Sequence, residues 1–538
     1  MAGLATSLGA GAATNSLNQM PDLDTLFLFG SNPTEGHPIV SLWMKKGLRN
    51  GATLIVADPR KTWMARKAAV WLNLRPGTNI ALLNGMVNVI LHNGWANTSF
   101  IERRVEGFHE LKAKVAEYGL ERVEAITGVA GEKIVEAARL YARAGKAMIV
   151  YGLGITEHRT GTENAMAIAN LALVCGHIGR PSTGIMALRG QNNVQGASDL
   201  GPLPATLPGY QPVSDEKVRE KFGRAWNVRI SPNAGLKSVE MLDECKRGNF
   251  KGLFILGEDP AQTDPDLNHV REALEAVEFL VVQDIFPTET TRFADVILPG
   301  ASFAEKDGTF TNGERRVQRV RKAIEPLAGM AEWEVICRLS TLMGYTMHYS
   351  HPSEIMDEIS RLVPIYGGIG YGRIEKQGLQ WPCPTTDHPG TETLYTDVFS
   401  RPGGKARFVA LDHQGPGEAT DAEYPYALIT GRIREHYNNG SMTKRCSGIA
   451  EIAPEEMLEM SIEDAAKMRI KSGDWVNVSS RRGRVTVKVR VTERSQPGNV
   501  FMTFHHRDAL TNVLTSGYRD PVTGTPEYKY CAVRVEKL

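Results

Sequence analysis

The sequence predicts an α/β protein with doubly wound parallel-sheet domains, followed by a carboxyl-terminal β-barrel. Three observations support this fold class. Short apolar runs alternate with helical stretches over roughly the first 300 residues, these runs end in Gly, Asp or Asn, and segments after Gly403 alternate apolar and polar residues. Continuous apolar strands between helices are typical of parallel sheets covered on both faces, whereas strict alternation is typical of half-buried antiparallel strands.

Five apolar runs are predicted as buried parallel strands, because each is bounded by turn residues and helical stretches. They are Leu26–Phe29, Thr53–Ala57, Ala147–Tyr151, Leu253–Leu256 and Leu280–Asp284. Ligands of such sheets bind beyond the carboxyl ends of the strands, where helix N-termini offer free N–H groups to phosphates. Several polar strand ends together indicate a large phosphate-bearing ligand, although any one such turn also has a purely structural explanation.

The region after Gly403 predicts a separate β-rich domain. Val476–Val478 and Arg484–Val491 alternate apolar and polar residues, and Arg481–Gly483 is predicted as the turn between them. Antiparallel strands of this kind indicate a barrel-like domain. The basic pairs Arg315–Arg316 and Arg481–Arg482 are expected on solvated faces.

Composition excludes several classes of protein. The 538 residues exceed the roughly 250–300 that one core serves, so several structural units are expected. A formal net charge of +1 gives no support for a nucleic-acid partner, and no apolar run reaches the roughly 18 residues of a membrane span. The six cysteines stand alone, so no metal ligand is assigned in this chain, and a reducing cytoplasmic location is the default.

The segment Arg189–Gly196 is the most informative stretch of the chain. It reads Arg-Gly-Gln-Asn-Asn-Val-Gln-Gly, with four amides, one arginine and two glycines. An arginine on a flexible loop can hold a carboxylate through two parallel hydrogen bonds, and amides can hold the edge of a heterocycle. An ordinary polar loop that satisfies its own backbone is the alternative.

Here the sequence resembles the molybdopterin oxidoreductase family, and within it the formate dehydrogenase catalytic (alpha) subunits, over its whole length. The segments that carry the resemblance are Arg189–Gly196, Gly30–Pro33 with His37 and Pro38, Asp58–Lys61, Ala294–Pro299 and Thr525–Lys529. The resemblance implies two molybdopterin guanine dinucleotides that hold molybdenum or tungsten. It also implies formate as the substrate, oxidised to carbon dioxide.

The resemblance assigns roles to individual residues. Arg189 would be the active-site arginine, with Gln191 beside it. The strand-end turns would bind the dinucleotides through Gly30, Asn32, Asp58, Arg60, Gly77, Gly154, Gly257, Glu258, Asp259 and Gln283. The carboxyl-terminal domain would cover the pterins with Arg432, His436, Ser441, Asn512, Tyr528 and Lys529.

The resemblance also implies a domain plan. Residues 1–191 would form one nucleotide-binding domain, 192–300 part of a second, 301–402 a connecting segment of the cluster domain, and 403–538 the barrel. Formate dehydrogenases carry a four-cysteine cluster motif and a selenocysteine or cysteine metal ligand near their N-terminus, and neither is in this sequence. We therefore expect a missing N-terminal segment with a [4Fe–4S] cluster, encoded upstream of Met1 beyond an in-frame UGA, or else on a separate polypeptide.

Several consequences follow from that expectation. The chain alone would be inactive, and part of its second α/β domain would leave apolar sheet surface exposed. Iron–sulfur electron-transfer subunits would be partners, and an export signal on the missing segment would make the protein periplasmic. Two alternatives stay open: a nitrate reductase of the same family, or a non-enzymatic scaffold subunit of a respiratory complex.

Overall fold

The computed structural model describes all 538 residues of the chain. Its internal packing divides the chain into two compact units. The first comprises residues 1–190, 262–268 and 393–538, and the second comprises residues 191–261 and 269–392. The four domain ranges expected from the sequence stay predictions.

A five-stranded, all-parallel sheet forms the amino-terminal part of the first unit. Its strands are β1 (Thr25–Phe29), β2 (Thr53–Ala57), β3 (Val70–Leu72), β5 (Ala147–Tyr151) and β6 (Gly184–Ala187), while β4 (Val105–Glu106) lies outside the sheet. All residues of β1 and β5 are buried. The apolar run predicts these strands because both faces of the sheet are covered, so neither face needs polar side chains. The three strands predicted in this region are confirmed.

Ten helices belong to this part of the chain. They are α1 (Ala2–Leu8), α2 (Pro33–Gly36), α3 (Pro38–Arg49), α4 (Asn79–His92), α5 (Thr98–Arg104), α6 (Phe108–Ala116), α7 (Leu120–Thr127), α8 (Gly131–Ala142), α9 (Leu153–Thr156) and α10 (Gly161–Cys175). The two faces of the sheet pack into separate apolar clusters, with Phe27 and Ile55 in one cluster and Leu28 and Val56 in the other. The sheet is therefore the middle layer of three.

The strand order creates a crevice at one edge of this sheet. The order is β3-β2-β1-β5-β6, so the chain leaves β1 on one side and returns to pair β5 on its other side. Connections that diverge in this way open a crevice at the carboxyl ends of the two central strands, where α/β proteins bind their ligands. Gly30 follows β1 and Gly152 follows β5 at this edge.

The second unit contains a small parallel sheet and two antiparallel ones. Its strands are β7 (Thr206–Leu207), β8 (Gln211–Pro212), β9 (Gly252–Leu256), β10 (Phe279–Asp284), β11 (Val296–Pro299), β12 (Gly308–Thr311), β13 (Arg316–Val320) and β14 (Leu379–Gln380). The sheets pair as β11-β10-β9, β12-β13-β14 and β7-β8. Around them the chain forms α11 (Val194–Asp199), α12 (Glu216–Trp226), α13 (Ser238–Lys246), α14 (Pro260–Thr263), α15 (Leu267–Ala276), α16 (Glu332–Leu342) and α17 (Pro352–Leu362), with residues 262–268 belonging to the first unit.

One face of the β9–β11 sheet is exposed. Leu280 and Val282 are fully buried, whereas Phe279, on the opposite face of the same strand, is 50% exposed. Phe254 and Val296, which pair with β10 on this same face, are 38% and 37% exposed. The expectation of exposed apolar sheet surface is therefore confirmed for this sheet, and the expectation that its strands are covered on both faces is wrong.

The carboxyl-terminal part of the first unit is a closed six-stranded barrel. Its order is β16-β20-β17-β19-β18-β21, from strands β16 (Tyr426–Gly431), β17 (Met457–Met460), β18 (Trp475–Ser479), β19 (Arg484–Val491), β20 (Asn499–Thr503) and β21 (Cys531–Lys537). Strand β15 (Ala406–Arg407) pairs instead with β4, and α18 (Ser447–Ile452) and α19 (Ile462–Met468) join barrel strands. Val485, Val487 and Val489 point inward, as their alternation predicts. The predicted fold class is confirmed.

One expectation about charge is wrong. Arg315, which was expected on a solvated face, has no exposed surface. Its guanidinium donates hydrogen bonds to the carbonyl oxygens of Trp381, Thr391 and Glu392. A buried guanidinium is tolerated when its donors are paired, and these acceptors lie more than 60 residues along the chain, where local sequence gives no sign of them.

No helix in the chain combines the length and the apolar character needed to cross a lipid bilayer.

Candidate cofactor cleft

Eight of the residues assigned from the sequence line one cleft in the first unit, which we call the strand-end cleft. It encloses about 920 Å³, part of it open to solvent. The eight residues are Gly30, Asn32, Asp58, Arg60, Gly77, Gly154, Arg432 and Lys529. The cleft is lined by the ends of β1, β2 and β5 and by residues of the barrel, so residues far apart in the sequence meet here.

Sequence reasoning missed several other residues that line the cleft. They include His37, Asn79, His158, Thr430, Phe501 and Phe504. His37 and Asn79 follow strand-end turns, so a rule that included the first helical residues would have found them. Phe501 and Phe504 lie in and just after a barrel strand, where an aromatic residue reads as ordinary core.

Two glycines let the central strands approach closely at the bottom of the cleft. Gly154 N donates to Gly30 O at 3.0 Å, and Gly30 adopts a φ of 55°. A Cβ atom on Gly154 would lie 2.7 Å from Gly30 O, and one on Gly30 would lie 2.8 Å from the carbonyl carbon of Gly154. Only glycine fits at either position, and this close approach leaves room for a ligand above the turns.

Asp58 directly follows β2, in the position where dinucleotide-binding folds bind a ribose. Its Oδ1 accepts a hydrogen bond from Arg60 N at 2.8 Å. Burial raises the pKa of Asp58 to about 6, while the contacts with Arg60 act in the opposite direction. A carboxylate after the second strand of a dinucleotide-binding sheet accepts hydrogen bonds from ribose hydroxyl groups. Because burial disfavours the charged form of Asp58, a ligand that donates hydrogen bonds to this carboxylate would stabilise it.

Arg60 is buried between a carboxylate and an aromatic ring. Its Nη2 lies 2.5 Å from Glu459 Oε2, and its Cζ lies 3.3 Å from the ring centroid of Phe501. Arginine pairs and stacks in this way where a planar charged group must be held rigidly. The barrel thus fixes the cation that the α/β domain presents to the cleft.

Five side chains of the cleft carry buried nitrogen atoms without a hydrogen-bond partner. The atoms are Asn32 Nδ2, His37 Nδ1, Arg60 Nε, His158 Nδ1 and Arg432 Nε. Leaving such groups unpaired costs about 1–3 kcal/mol each. Three of the five atoms, those of Asn32, Arg60 and Arg432, are donors, and the N-terminus of α4 at Asn79 adds a partial positive charge. The donor set fits a ligand with phosphate oxygens and hydrogen-bonding edges.

His37 and Arg432 connect the cleft to the loop that carries Arg189. His37 Nε2 lies 2.5 Å from Arg189 O, and Arg432 Nη1 donates to Gly190 O at 3.0 Å. Burial lowers the pKa of His37, so the ring is neutral near pH 7, donates through Nε2 and leaves Nδ1 as an acceptor. Arg189 itself is half-buried, and its Nη2 donates to Gly11 O at 3.0 Å. Gln191 is the first residue of the second unit.

The other barrel residues assigned from the sequence lie outside this cleft. His436 is buried, with its nitrogens next to Thr443 Oγ1 and Ala453 O. Asn512 Nδ2 and Tyr528 OH both donate to Thr263 O, at 2.8 and 3.0 Å. Ser441 Oγ donates to Asn439 Oδ1 at 2.8 Å. These four side chains therefore hold protein groups in the present structure.

The remaining assigned residues lie together at the carboxyl edge of the β9–β11 sheet. Gly257 N donates to Gln283 O at 2.8 Å, with Glu258 exposed beside it. Asp259 is buried, and its Oδ1 accepts from Thr290 N and Oγ1 at 2.9 and 2.7 Å. Gln283 is buried with its Oε1 unpartnered. This edge resembles the strand-end cleft in kind, with a glycine turn, an acid and an unsatisfied amide.

The fold and the strand-end cleft define a dinucleotide-binding α/β protein joined to a β-barrel. The chain belongs to the molybdopterin oxidoreductase family, because the family model described as molybdopterin oxidoreductase matches residues 4–342. A second model, described as a molydopterin dinucleotide binding domain, matches residues 426–532. Membership implies a molybdenum or tungsten pterin cofactor. No group of three or more His, Cys, Asp or Glu side chains in the chain could hold a metal ion.

Relatives match the chain over its full length. It is 45% identical to the alpha subunit of F420-dependent formate dehydrogenase 2 of Methanococcus maripaludis, covering 100% of this chain and 79% of the relative. Identity is 42% to formate dehydrogenase H of Escherichia coli, over 100% of this chain and 76% of that protein. Identity is 35% to the assimilatory nitrate reductase catalytic subunit of Bacillus subtilis, over 97% of this chain and 75% of that protein. The fold matches acetylene hydratase from Pelobacter acetylenicus with a TM-score of 0.79 at 20% identity, over 100% of this chain and 80% of that one.

Proposed function

We propose that this chain oxidises formate at a molybdenum or tungsten ion held by two pterin guanine dinucleotides. Formate loses a proton and two electrons and leaves as carbon dioxide, and the bound metal centre supplies the two-electron chemistry. The observation that carries the proposal is the setting of Arg189: its backbone carbonyl is bound by His37 of the strand-end cleft. The cofactor-binding cleft and the arginine that would hold the substrate are thus parts of one hydrogen-bonded structure.

Arg189 would orient the carboxylate of formate. A guanidinium presents parallel N–H donors that match the two oxygens of a carboxylate, and the resulting charge-assisted bonds are strong and directional. Gln191 would support the same anion through its amide. His37 and Arg432 act as positioning residues in this scheme, because they bind the backbone carbonyls of Arg189 and Gly190.

The strand-end cleft would hold one dinucleotide and the edge of the β9–β11 sheet the other. In the cleft, the unpartnered donors of Asn32, Arg60 and Arg432 would bind phosphate and base oxygens, and Asp58 would accept ribose hydroxyls. At the sheet edge, Glu258, Asp259 and Gln283 Oε1 would accept hydrogen bonds from the ribose hydroxyls and the base of the second dinucleotide. Electrons would leave through iron–sulfur clusters, a [4Fe–4S] cluster first, carried on polypeptide beyond these 538 residues.

Formate is favoured over nitrate and over a scaffold role. The relatives named as formate dehydrogenases that are compared above are 42–45% identical, against 35% for the nitrate reductase. A scaffold that has lost its cofactor has no need of unsatisfied buried donors. Three such donors, on Asn32, Arg60 and Arg432, line the strand-end cleft, so the free-energy cost of keeping them argues for a bound ligand.

The test is Arg189→Lys in the metal- and pterin-loaded enzyme. Lysine keeps the charge but loses the paired donors, so we expect the transition state to lose about 2–4 kcal/mol and kcat/KM for formate to fall accordingly. Arg104→Lys is the matched control, because Arg104 is also half-buried in the first unit and donates to a backbone carbonyl, that of Tyr395. Unchanged formate turnover in Arg189→Lys, or nitrate reduction by the wild type without formate oxidation, would contradict the proposal.

A further inference from the structure

Asp199 is a buried carboxylate whose hydrogen-bonding capacity is completely used. It ends α11 and has no exposed surface. Its Oδ1 accepts from Gln195 Nε2 at 2.7 Å and from Tyr210 OH at 2.6 Å. Its Oδ2 accepts from Tyr366 OH and from Trp381 Nε1, both at 2.7 Å. Each oxygen therefore has two donors, which is as many as a carboxylate oxygen takes.

This arrangement requires an anion at position 199. Burial raises the pKa of Asp199, and the four hydrogen bonds, which stabilise the charged form, act against that shift. Asparagine in the same place would carry an NH2 group where Asp199 has one of its oxygens. That NH2 group would face a donor hydrogen instead of accepting it. Aspartate is the smallest side chain that accepts all four bonds, and the network is therefore specific for it.

The other end of α11 is fastened to the same neighbours. Asn193 precedes the helix with a φ of 59°, and its Oδ1 accepts from Thr311 N at 2.9 Å. Thr311 Oγ1 in turn lies 3.2 Å from Tyr366 OH, the hydroxyl that also binds Asp199. A Cβ atom on Gly196 would lie 2.3 Å from Asn193 Oδ1, so glycine there keeps the amide in place. Both ends of α11 thus depend on Thr311 and Tyr366.

A six-residue helix does not hold itself in shape, because a single helical turn forms unfavourably without tertiary support. Helix α11 and its anchors follow Gln191 and Asn192 directly along the chain, so they fix the carboxyl-terminal end of that loop. We propose that Asp199 is a positioning residue that fixes the loop Gln191–Asn193 in the geometry needed to bind the substrate anion. The inference rests on the proposed function in that the substrate anion is formate.

The experiment compares wild type with Asp199→Asn in the loaded enzyme. We expect amide hydrogen exchange of residues 191–199 to become about tenfold faster or more, and KM for formate to rise by a similar factor, while metal and pterin content stay at the wild-type level. Binding of azide, a small linear anion, should weaken in parallel. Trp381→Phe and Tyr366→Phe each remove one donor and keep a ring, and should give smaller shifts in the same direction.

Glu358→Gln is the matched control in the second unit. Glu358 accepts from Trp226 Nε1 at 2.7 Å and from Tyr349 OH at 2.8 Å, and these partners lie outside residues 191–199. It should lower stability without moving exchange at 191–199 or KM. Should Asp199→Asn fold poorly, the two phenylalanine variants carry the test.

The outcomes separate the two proposals. Exchange at 191–199 that stays slow in Asp199→Asn and in both phenylalanine variants overturns the positioning role of Asp199. Faster exchange with KM unchanged also overturns it, because the loop would then be ordered for a structural reason only. Faster exchange in an enzyme whose wild type does not oxidise formate, but whose azide binding weakens, upholds the anchor and refutes the proposed function alone.

Discussion

Replacing Gly154 by alanine should push apart the ends of β1 and β5 at the bottom of the strand-end cleft. The new methyl carbon would lie 2.7 Å from Gly30 O and 2.8 Å from Gly30 Cα, where carbon atoms in contact are ordinarily about 3.5–4.0 Å apart. The backbone must therefore shift, and the 3.0 Å hydrogen bond from Gly154 N to Gly30 O lengthens or breaks. Overpacking of this kind costs about 1–3 kcal/mol.

The helix propensity of alanine recovers up to about 1 kcal/mol of that cost, because Gly154 lies in α9. We therefore expect the unfolding temperature to fall by about 1–3 °C, and the pterin content of the loaded enzyme to fall with it. The assay is calorimetric unfolding together with pterin analysis. Gly448→Ala in α18 is the control, because a Cβ atom there meets nothing within 4 Å. A Gly154→Ala protein with the melting temperature and pterin content of the control would refute the reasoning.

Three further predictions concern charge, cofactor and core. Burial raises the pKa of Glu456 from its usual 4.5 to about 7, so the protonated form stabilises the fold below about pH 4.5 and this contribution is lost as the pH rises through 7. The unfolding temperature should therefore fall less steeply between about pH 5 and pH 8 in Glu456→Gln than in the wild type. An equally steep fall in the variant would mean that Glu456 is not the group responsible. Asp259→Ala should lower the pterin content while the barrel stays folded. Thr290→Val removes only the hydroxyl group that donates to Asp259 and should leave the pterin content unchanged. Equal losses of pterin in the two variants would mean that Asp259 only stabilises the turn. Leu280→Ala should cost about 2–5 kcal/mol in unfolding by denaturant and Ile297→Ser less than about 1, since only the first is buried. Similar costs would mean that Ile297 is covered.

Sequence patterns predict the first sheet well because both of its faces are covered by the chain's own helices. Leu26–Phe29 and Ala147–Tyr151 contain no polar residue before their final turn, so the apolar run and the strand coincide. The same pattern misleads at Phe279–Asp284, where the side chains are equally apolar but one face is open. Apolar composition reports which surfaces avoid water in the assembled molecule, and it does not say which part of the chain covers them.

Sequence patterns predict the turns that line the strand-end cleft, but they do not predict the barrel residues that line it. Gly30 and Asp58 stand directly after apolar strands, so topology alone brings them to one edge. Glu459 and Phe501, which hold Arg60, come from barrel strands some 400 residues away. Their positions depend on how the barrel closes, and no local pattern of residues carries that information. For the same reason the sequence could not show that Arg315 finds its carbonyl partners in the interior.

The loop Arg189–Gly196 shows why a diagnostic motif can be longer than the set of residues that touch a ligand. His37 and Arg432 bind the carbonyls of Arg189 and Gly190, which any residue would offer. Farther along the loop, the side chain of Gln195 donates a hydrogen bond to Asp199. Gly196 is needed because a side chain there would collide with Asn193. Under the proposed function, Arg189 and Gln191 would bind the substrate, whereas Gln195 and Gly196 hold the loop in shape. Under the proposed function, a ligand that donates a hydrogen bond to His37 Nδ1 would be linked to the loop Arg189–Gly196 through the contact between His37 Nε2 and Arg189 O, so cofactor binding and substrate binding should be coupled at this histidine.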